Sequence, residues 1–144
     1  MNNNPKKLAD ALYELSRAAM AQKSNSPLNA SETGTLIFIS GHRAGAKTVQ
    51  PGDISQYHGM AKASVTAIVT ALEQGGYISR YPSERDGRAY YLEITEKGKS
   101  LITQVSDSYY AAYARLAAEL GQSKCELLLE SITRAVELLK ENKK

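Results

Sequence analysis

The amino-acid sequence predicts a mainly α-helical fold that carries one small β-hairpin. Three observations predict it. Apolar residues recur at helical spacing, as in Leu8, Leu12, Leu15 and Ala19 and again in Val65, Ile68, Val69 and Leu72. Period-2 alternation is confined to one place, where Leu92 and Ile94 alternate with Tyr91 and Glu93. Between the strand-like runs "GGYISR" and "AYYLEIT" stands "SERDGR", whose Asp-Gly pair signals a turn.

Each element has a local reason. The first helix opens at Asn4-Pro5, because Asn caps a helix well and Pro suits its first position. The loop "SNSPLN" stops it. A second helix opens at Ser31 with Glu32 in its first turn, carries Leu36, Ile37, Phe38 and Ile39, and dies at Gly41. "HRAGAKTVQPG" reads as loop, with a short extended piece at Thr48-Val49. Pro51 starts a short third helix, "PGDISQYH", which Gly59 breaks. A fourth helix runs from Lys62 to Gln74, and Gly75-Gly76 stops it. After the hairpin, Thr95 caps a long helix ending at Gly121, and Ser123 caps a last helix through Leu139.

Bulk properties narrow the function classes. The 144 residues suit one domain with helical extensions, and 42% hydrophobic with 23% charged residues is ordinary for a soluble protein. A net charge of +3 leans slightly toward a polyanionic partner. The single cysteine, Cys125, excludes an intramolecular disulfide and a cysteine-based metal cage, and fits a reducing compartment. It sits on an apolar stripe with Leu128, Ile132, Ala135 and Leu139, the setting of inert packing. The start "MNNNPKK" lacks the apolar core of a signal peptide, and no run approaches the roughly 20 apolar residues of a membrane span. A cytoplasmic chain without a membrane partner is therefore expected. No nucleophile–base set, paired carboxylates or phosphate-cradling glycine loop is visible, so no enzyme is expected. His42 and His58 lack partner ligands, so neither metal nor cofactor is expected.

The third and fourth helices, joined by a tight glycine turn, make a helix-turn-helix, and the hairpin after them makes it winged. In that arrangement the second helix enters the DNA major groove. Its apolar stripe faces the core, so its other face meets the ligand. That face offers Lys62, Ser64, Thr66, Ala67 and Thr70, with Ala63 beside them. Hydroxyls and one cation can reach base edges and phosphates. Ser and Thr are weak helix formers, and a face needed only for solubility would carry Glu, Lys or Gln instead.

The segment "VTAIVTALEQGGYISRYPSERDGRAYYLEITEKGKSLI" resembles the MarR family of winged helix-turn-helix transcription regulators. The matching features are Val65-Thr66, Leu72-Glu73, Gly76, Ile78, Arg80, Asp86-Gly87-Arg88, and Leu92 with Ile94-Thr95-Glu96-Lys97-Gly98. The resemblance is strong from about Met60 to Ile102 and looser elsewhere. It implies a homodimer on a pseudo-palindromic double-stranded DNA operator, with Lys62 to Gln74 as the recognition helix. Arg88 would be the wing arginine at the minor groove. Asp86 would orient the wing by pairing with Arg80 or Arg85. Residues 1–30 and 96–144 would form the helical dimerisation region, around a reading region at 31–95.

Regulators of this family commonly sense small aromatic or phenolic anions. Nine tyrosines and no tryptophan are present, and Tyr13, Tyr109, Tyr110 and Tyr113 could line an effector cleft with Arg17 balancing an acid. Four residues depart from the family pattern. Ala61 is a weak N-cap, Ala67 stands where many members carry arginine, and Ile54-Ser55 replaces the usual Leu-Ala. The leading expectation is a DNA-binding regulator, a repressor released by ligand. The alternative is a winged-helix module whose basic wing docks an acidic protein.

Overall fold

The structure is a computed structural model that describes residues 4–41, 48–83 and 88–141. Among them six helices and two strands follow in chain order. They are α1 (Pro5–Met20), α2 (Ala30–Gly41), α3 (Pro51–His58), α4 (Lys62–Gln74), β1 (Ile78–Pro82), β2 (Tyr90–Ile94), α5 (Glu96–Leu120) and α6 (Gln122–Glu141). The backbone gathers into two compact units, Met1–Tyr109 and Tyr110–Lys144.

Local chemistry sets the helix limits. The Asn4 side chain caps α1 by accepting from the Lys7 amide at 3.2 Å. α2 begins at Ala30, one residue before the expected start, because a reciprocal cap closes its first turn. Asn29 Oδ1 accepts from the Glu32 amide at 2.8 Å, and Glu32 Oε1 accepts from the Asn29 amide at 3.1 Å. α6 corrects the sequence expectation. Its first helical bond runs from the Cys125 amide to the Gly121 carbonyl, so Ser123 lies inside the first turn instead of capping it. Gly121, at φ +78°, makes the turn between α5 and α6 in the left-handed region open to glycine.

The core of the first unit joins Leu36 and Ile39 of α2, Ile54 of α3, and Val65, Val69 and Leu72 of α4. Ile78 and Leu92 of the hairpin and Leu101 and Val105 of α5 complete it, with Val49 from the loop. Burying each of the three α4 side chains stabilises its seat by about 1.5–3 kcal/mol. The strands pair antiparallel with Tyr81 opposite Tyr91 and Ile78 opposite Ile94. The extended piece expected at Thr48-Val49 is a single bridge: the Leu92 amide donates to the Val49 carbonyl at 2.7 Å. Two threonines of α2, Thr33 and Thr35, are buried as well. Thr33 Oγ1 donates to Ser26 Oγ at 2.9 Å and so fastens the α1–α2 loop.

Neither α1 nor α6 buries a single residue, although each carries an apolar stripe. Leu8 is 62% exposed and Leu139 61%. No described helix is long and apolar enough to cross a membrane.

Candidate nucleic-acid interface

The site is built on α3, its turn and α4. Gly59 ends α3 with φ +65°, a left-handed conformation suited to glycine. The turn that follows is braced from within α3: Ser55 Oγ donates to the Met60 carbonyl at 2.6 Å. Ser55, one of the departures from the family pattern, therefore holds the helix-turn-helix corner in shape. The next residue, Ala61, makes no side-chain cap bond to α4, and the first turn of α4 carries no acid.

α4 packs on α2, α3 and β1. Val65, Val69 and Leu72 are buried, whereas Lys62, Ala63, Ser64, Thr66 and Ala67 are exposed and Thr70 is half-buried. Ala63, Thr66, Ala67 and Thr70 thus lie away from the core stripe, with Ser64 at its flank and Lys62 exposed in the first turn of α4. The Thr66 hydroxyl donates to the Lys62 carbonyl at 2.9 Å. With its proton so used, Thr66 presents an acceptor oxygen and a methyl group outward.

Arg85 and Asp86 lie outside the described residues. Arg88, at the foot of β2, is exposed. The hairpin is closed below the tip by the Ser83 amide, which donates to the Ala89 carbonyl at 2.9 Å. Arg80 is engaged by groups the sequence reading did not name. Its Nε stands 3.3 Å from Glu73 Oε2, and its guanidinium lies 4.1 Å from the Tyr90 ring centroid. On the other face of the hairpin Tyr81 and Tyr91 stack at 5.4 Å. No sequence pattern signals the Glu73–Arg80 pair, because the two residues lie on different elements across the Gly75-Gly76 turn.

The candidate effector residues are spread over the chain. Arg17 sits one turn beyond Tyr13 on α1, its guanidinium 5.9 Å from the tyrosine ring. Tyr109, on α5, has its hydroxyl beside Gly34 of α2. Tyr113 belongs to the second unit, on an exposed position of α5. Among the described residues no three of His, Cys, Asp and Glu gather as metal ligands would. His42 lies outside them. His58 stands edge-on to Tyr57 at 4.9 Å and to Phe38 at 5.8 Å. Burial lowers its pKa below the ordinary histidine value.

Comparison with known proteins agrees with this geometry. The model of the MarR family matches residues 26–89. The chain is 29% identical over 103 residues to the transcriptional repressor MprA of Escherichia coli K12, covering 72% of this chain. It spans 58% of that repressor's length. Among solved structures, a MarR/EmrR family transcriptional regulator from Acinetobacter sp. ADP1 superposes with a TM-score of 0.80 at 21% identity, covering 96% of this chain and 99% of that one. MepR of S. aureus, in a complex with DNA, superposes at 0.71 and 16% identity, covering 96% and 99%. The two structures share the fold, and the relatives named here are regulators and not enzymes. By fold, motif and family match together, this chain is similar to the MarR family of winged helix-turn-helix transcription regulators, whose model matches residues 26–89.

Proposed function

We propose that the chain is a sequence-specific double-stranded DNA-binding regulator that acts as a homodimer. The observation that carries this reading is the division of α4. One face is sealed into the core, and the rest of the helix presents Ala63, Ser64, Thr66 and Ala67 to solvent, with Thr70 at the edge and Lys62 exposed in the first turn. Such a face matches a major groove: small side chains allow close approach, and hydroxyls meet base edges. Lys62 would hold a phosphate. Arg88, with Arg85 and Asp86 at the tip, would work the adjacent minor groove, where negative potential concentrates. Arg80 supports the wing from behind through Glu73 and Tyr90.

Dimer formation is supported by the bare apolar stripes of α1 and α6, which a second copy would cover. Two reading heads then fit two half-sites about 34 Å apart. The relative MprA is named a repressor, and we extend that sign of action to this chain. Release by a small aromatic acid or phenol completes the reading, with Tyr13 and Arg17 as the side chains suited to a ring and a carboxylate.

The testing experiment is fluorescence anisotropy of duplex DNA over a salt series. A regulator of this kind loses affinity linearly in log salt with a slope of about −0.9 for each phosphate neutralised. Binding that ignores salt, or no binding to any duplex, would sink the reading and favour a protein partner for the wing.

A further inference from the structure

The run Thr95-Glu96-Lys97-Gly98 is part of the family resemblance, yet none of its residues lies on the reading face. Thr95 and Lys97 instead reach the turn that follows α4. That helix closes with the Tyr77 amide donating to the Leu72 carbonyl at 2.9 Å and the Gly76 amide donating to the Glu73 carbonyl at 3.0 Å, with Gly76 at φ +79°. Three successive carbonyls just beyond the helix, those of Gly75, Gly76 and Tyr77, are each taken by the start of α5. Lys97 Nζ donates to the Gly75 carbonyl at 2.6 Å. Thr95 Oγ1 donates to the Gly76 carbonyl at 2.6 Å, and the Thr95 amide donates to the Tyr77 carbonyl at 3.0 Å. Thr95 Oγ1 also accepts from the Gly98 amide at 3.1 Å, so one hydroxyl caps α5 and closes α4 together. The Lys97 ammonium lies 4.7 Å from the Tyr77 ring centroid. A Cβ at Gly98 would overlap the Tyr77 carbonyl oxygen and the Ile94 side chain. Glycine alone permits this approach.

We propose that Thr95 and Lys97 are positioning residues for DNA reading: they clamp the C-terminal end of α4 to the first turn of α5 and set the angle at which α4 presents its exposed face. The role rests on the DNA-binding reading above. Apolar packing seats α4 but is non-directional, whereas hydrogen bonds to three successive carbonyls fix direction. Leverage makes the angle matter. The 13-residue helix is about 20 Å long, so a tilt of about 5° at the joint moves its far end by about 1.7 Å. A displacement of that size breaks a base hydrogen bond. Lys97 is an exposed lysine whose ammonium is turned onto the Gly75 carbonyl, which suits a fastening.

The test uses the full chain, a duplex selected by the wild type from a random-sequence pool, and a scrambled duplex of equal length. Thr95→Asp keeps an acceptor for the Gly98 amide but cannot donate to Gly76. Thr95→Ser keeps both bonds, and Lys97→Met removes the ammonium. The expected result is a fall of about tenfold in the ratio of selected to scrambled affinity for Thr95→Asp and Lys97→Met, the scale of one lost base contact. Thr95→Ser should keep the wild-type ratio, and the salt slope of Lys97→Met should be unchanged. Amide hydrogen exchange at Gly76, Tyr77 and Ile78 should quicken in Thr95→Asp and Lys97→Met only. Unchanged ratios would overturn the positioning role. So would equal weakening on both duplexes with a slope smaller by about one, which would make Lys97 a phosphate contact. A wild-type chain that selects no sequence would overturn the DNA reading itself; variants that select as well as wild type would overturn this role alone.

Discussion

Arg80 Nε stands 3.3 Å from Glu73 Oε2 and thereby ties the first wing strand to the last turn of α4. The same guanidinium covers Tyr90 of the second strand, so one side chain joins helix and both strands. Both partners of the ion pair are more than a third exposed, which limits its contribution to about 0.2–1 kcal/mol. The ring contact adds about 0.5–1 kcal/mol. Arg80→Ala should therefore lower the unfolding free energy by about 1 kcal/mol in a urea titration, with Glu73→Gln costing less. Equal losses in the two variants would mean that the ring contact contributes nothing.

Arg88 is the residue that the proposed function sends to the minor groove. Arg88→Ala should weaken binding to most operators by about 1–3 kcal/mol and leave the circular dichroism spectrum and melting temperature as they are, since the side chain is exposed. Unchanged operator affinity, measured by anisotropy, would count against wing insertion.

Thr66 should act on preference more than on strength. Its hydroxyl proton is spent on the Lys62 carbonyl, which leaves an acceptor and a methyl for the groove. Thr66→Ala should relax selection at one position of the operator, toward or away from a base that donates, in a pool-selection experiment. Uniform weakening across all sequences would instead identify a phosphate contact.

Ser55 braces the turn that launches α4. Ser55→Ala removes the bond to the Met60 carbonyl and should cost about 0.5–1.5 kcal/mol of stability, read from denaturant midpoints. An unchanged midpoint would show that the turn holds without it.

His58 predicts a pH dependence. Burial among aromatic rings disfavours its charged form, so the folded pKa lies below the unfolded value near 6.5. The unfolded chain then binds the proton first as pH falls. The stability His58 allows is fully present above the unfolded pKa and is lost as pH drops from there through the folded pKa. The melting temperature of wild type should fall more between pH 7.5 and 5 than that of His58→Phe. Parallel profiles would refute the assignment.

Much of this was legible in the sequence because it is local. Lys62 and Gln74 bound α4 as expected, since an apolar stripe and a glycine pair act within a few residues. Val65, Val69 and Leu72 are buried for the same periodic reason. What escaped is mostly non-local. Thr95 and Lys97 meet carbonyls about 20 residues away, and Arg80 meets a carboxylate on another element. Ser55 stood out only as a departure from pattern; its purpose appears when the Met60 carbonyl is seen beside it. Two local signals were missed as well. The Asn29 and Glu32 cap moves the start of α2 to Ala30, and Gly121, not Ser123, opens α6.

The central claim is that two copies of this chain each lay an α4 in the major groove of one duplex. Hydroxyl-radical footprinting of a selected operator, with the stoichiometry of the complex measured alongside, tests it most directly. The account predicts two chains per duplex and two protected half-sites about 34 Å apart, flanked by minor-groove protection that Arg88→Ala removes. One chain per duplex, or a single protected patch untouched by changes at Thr66 and Arg88, would contradict it.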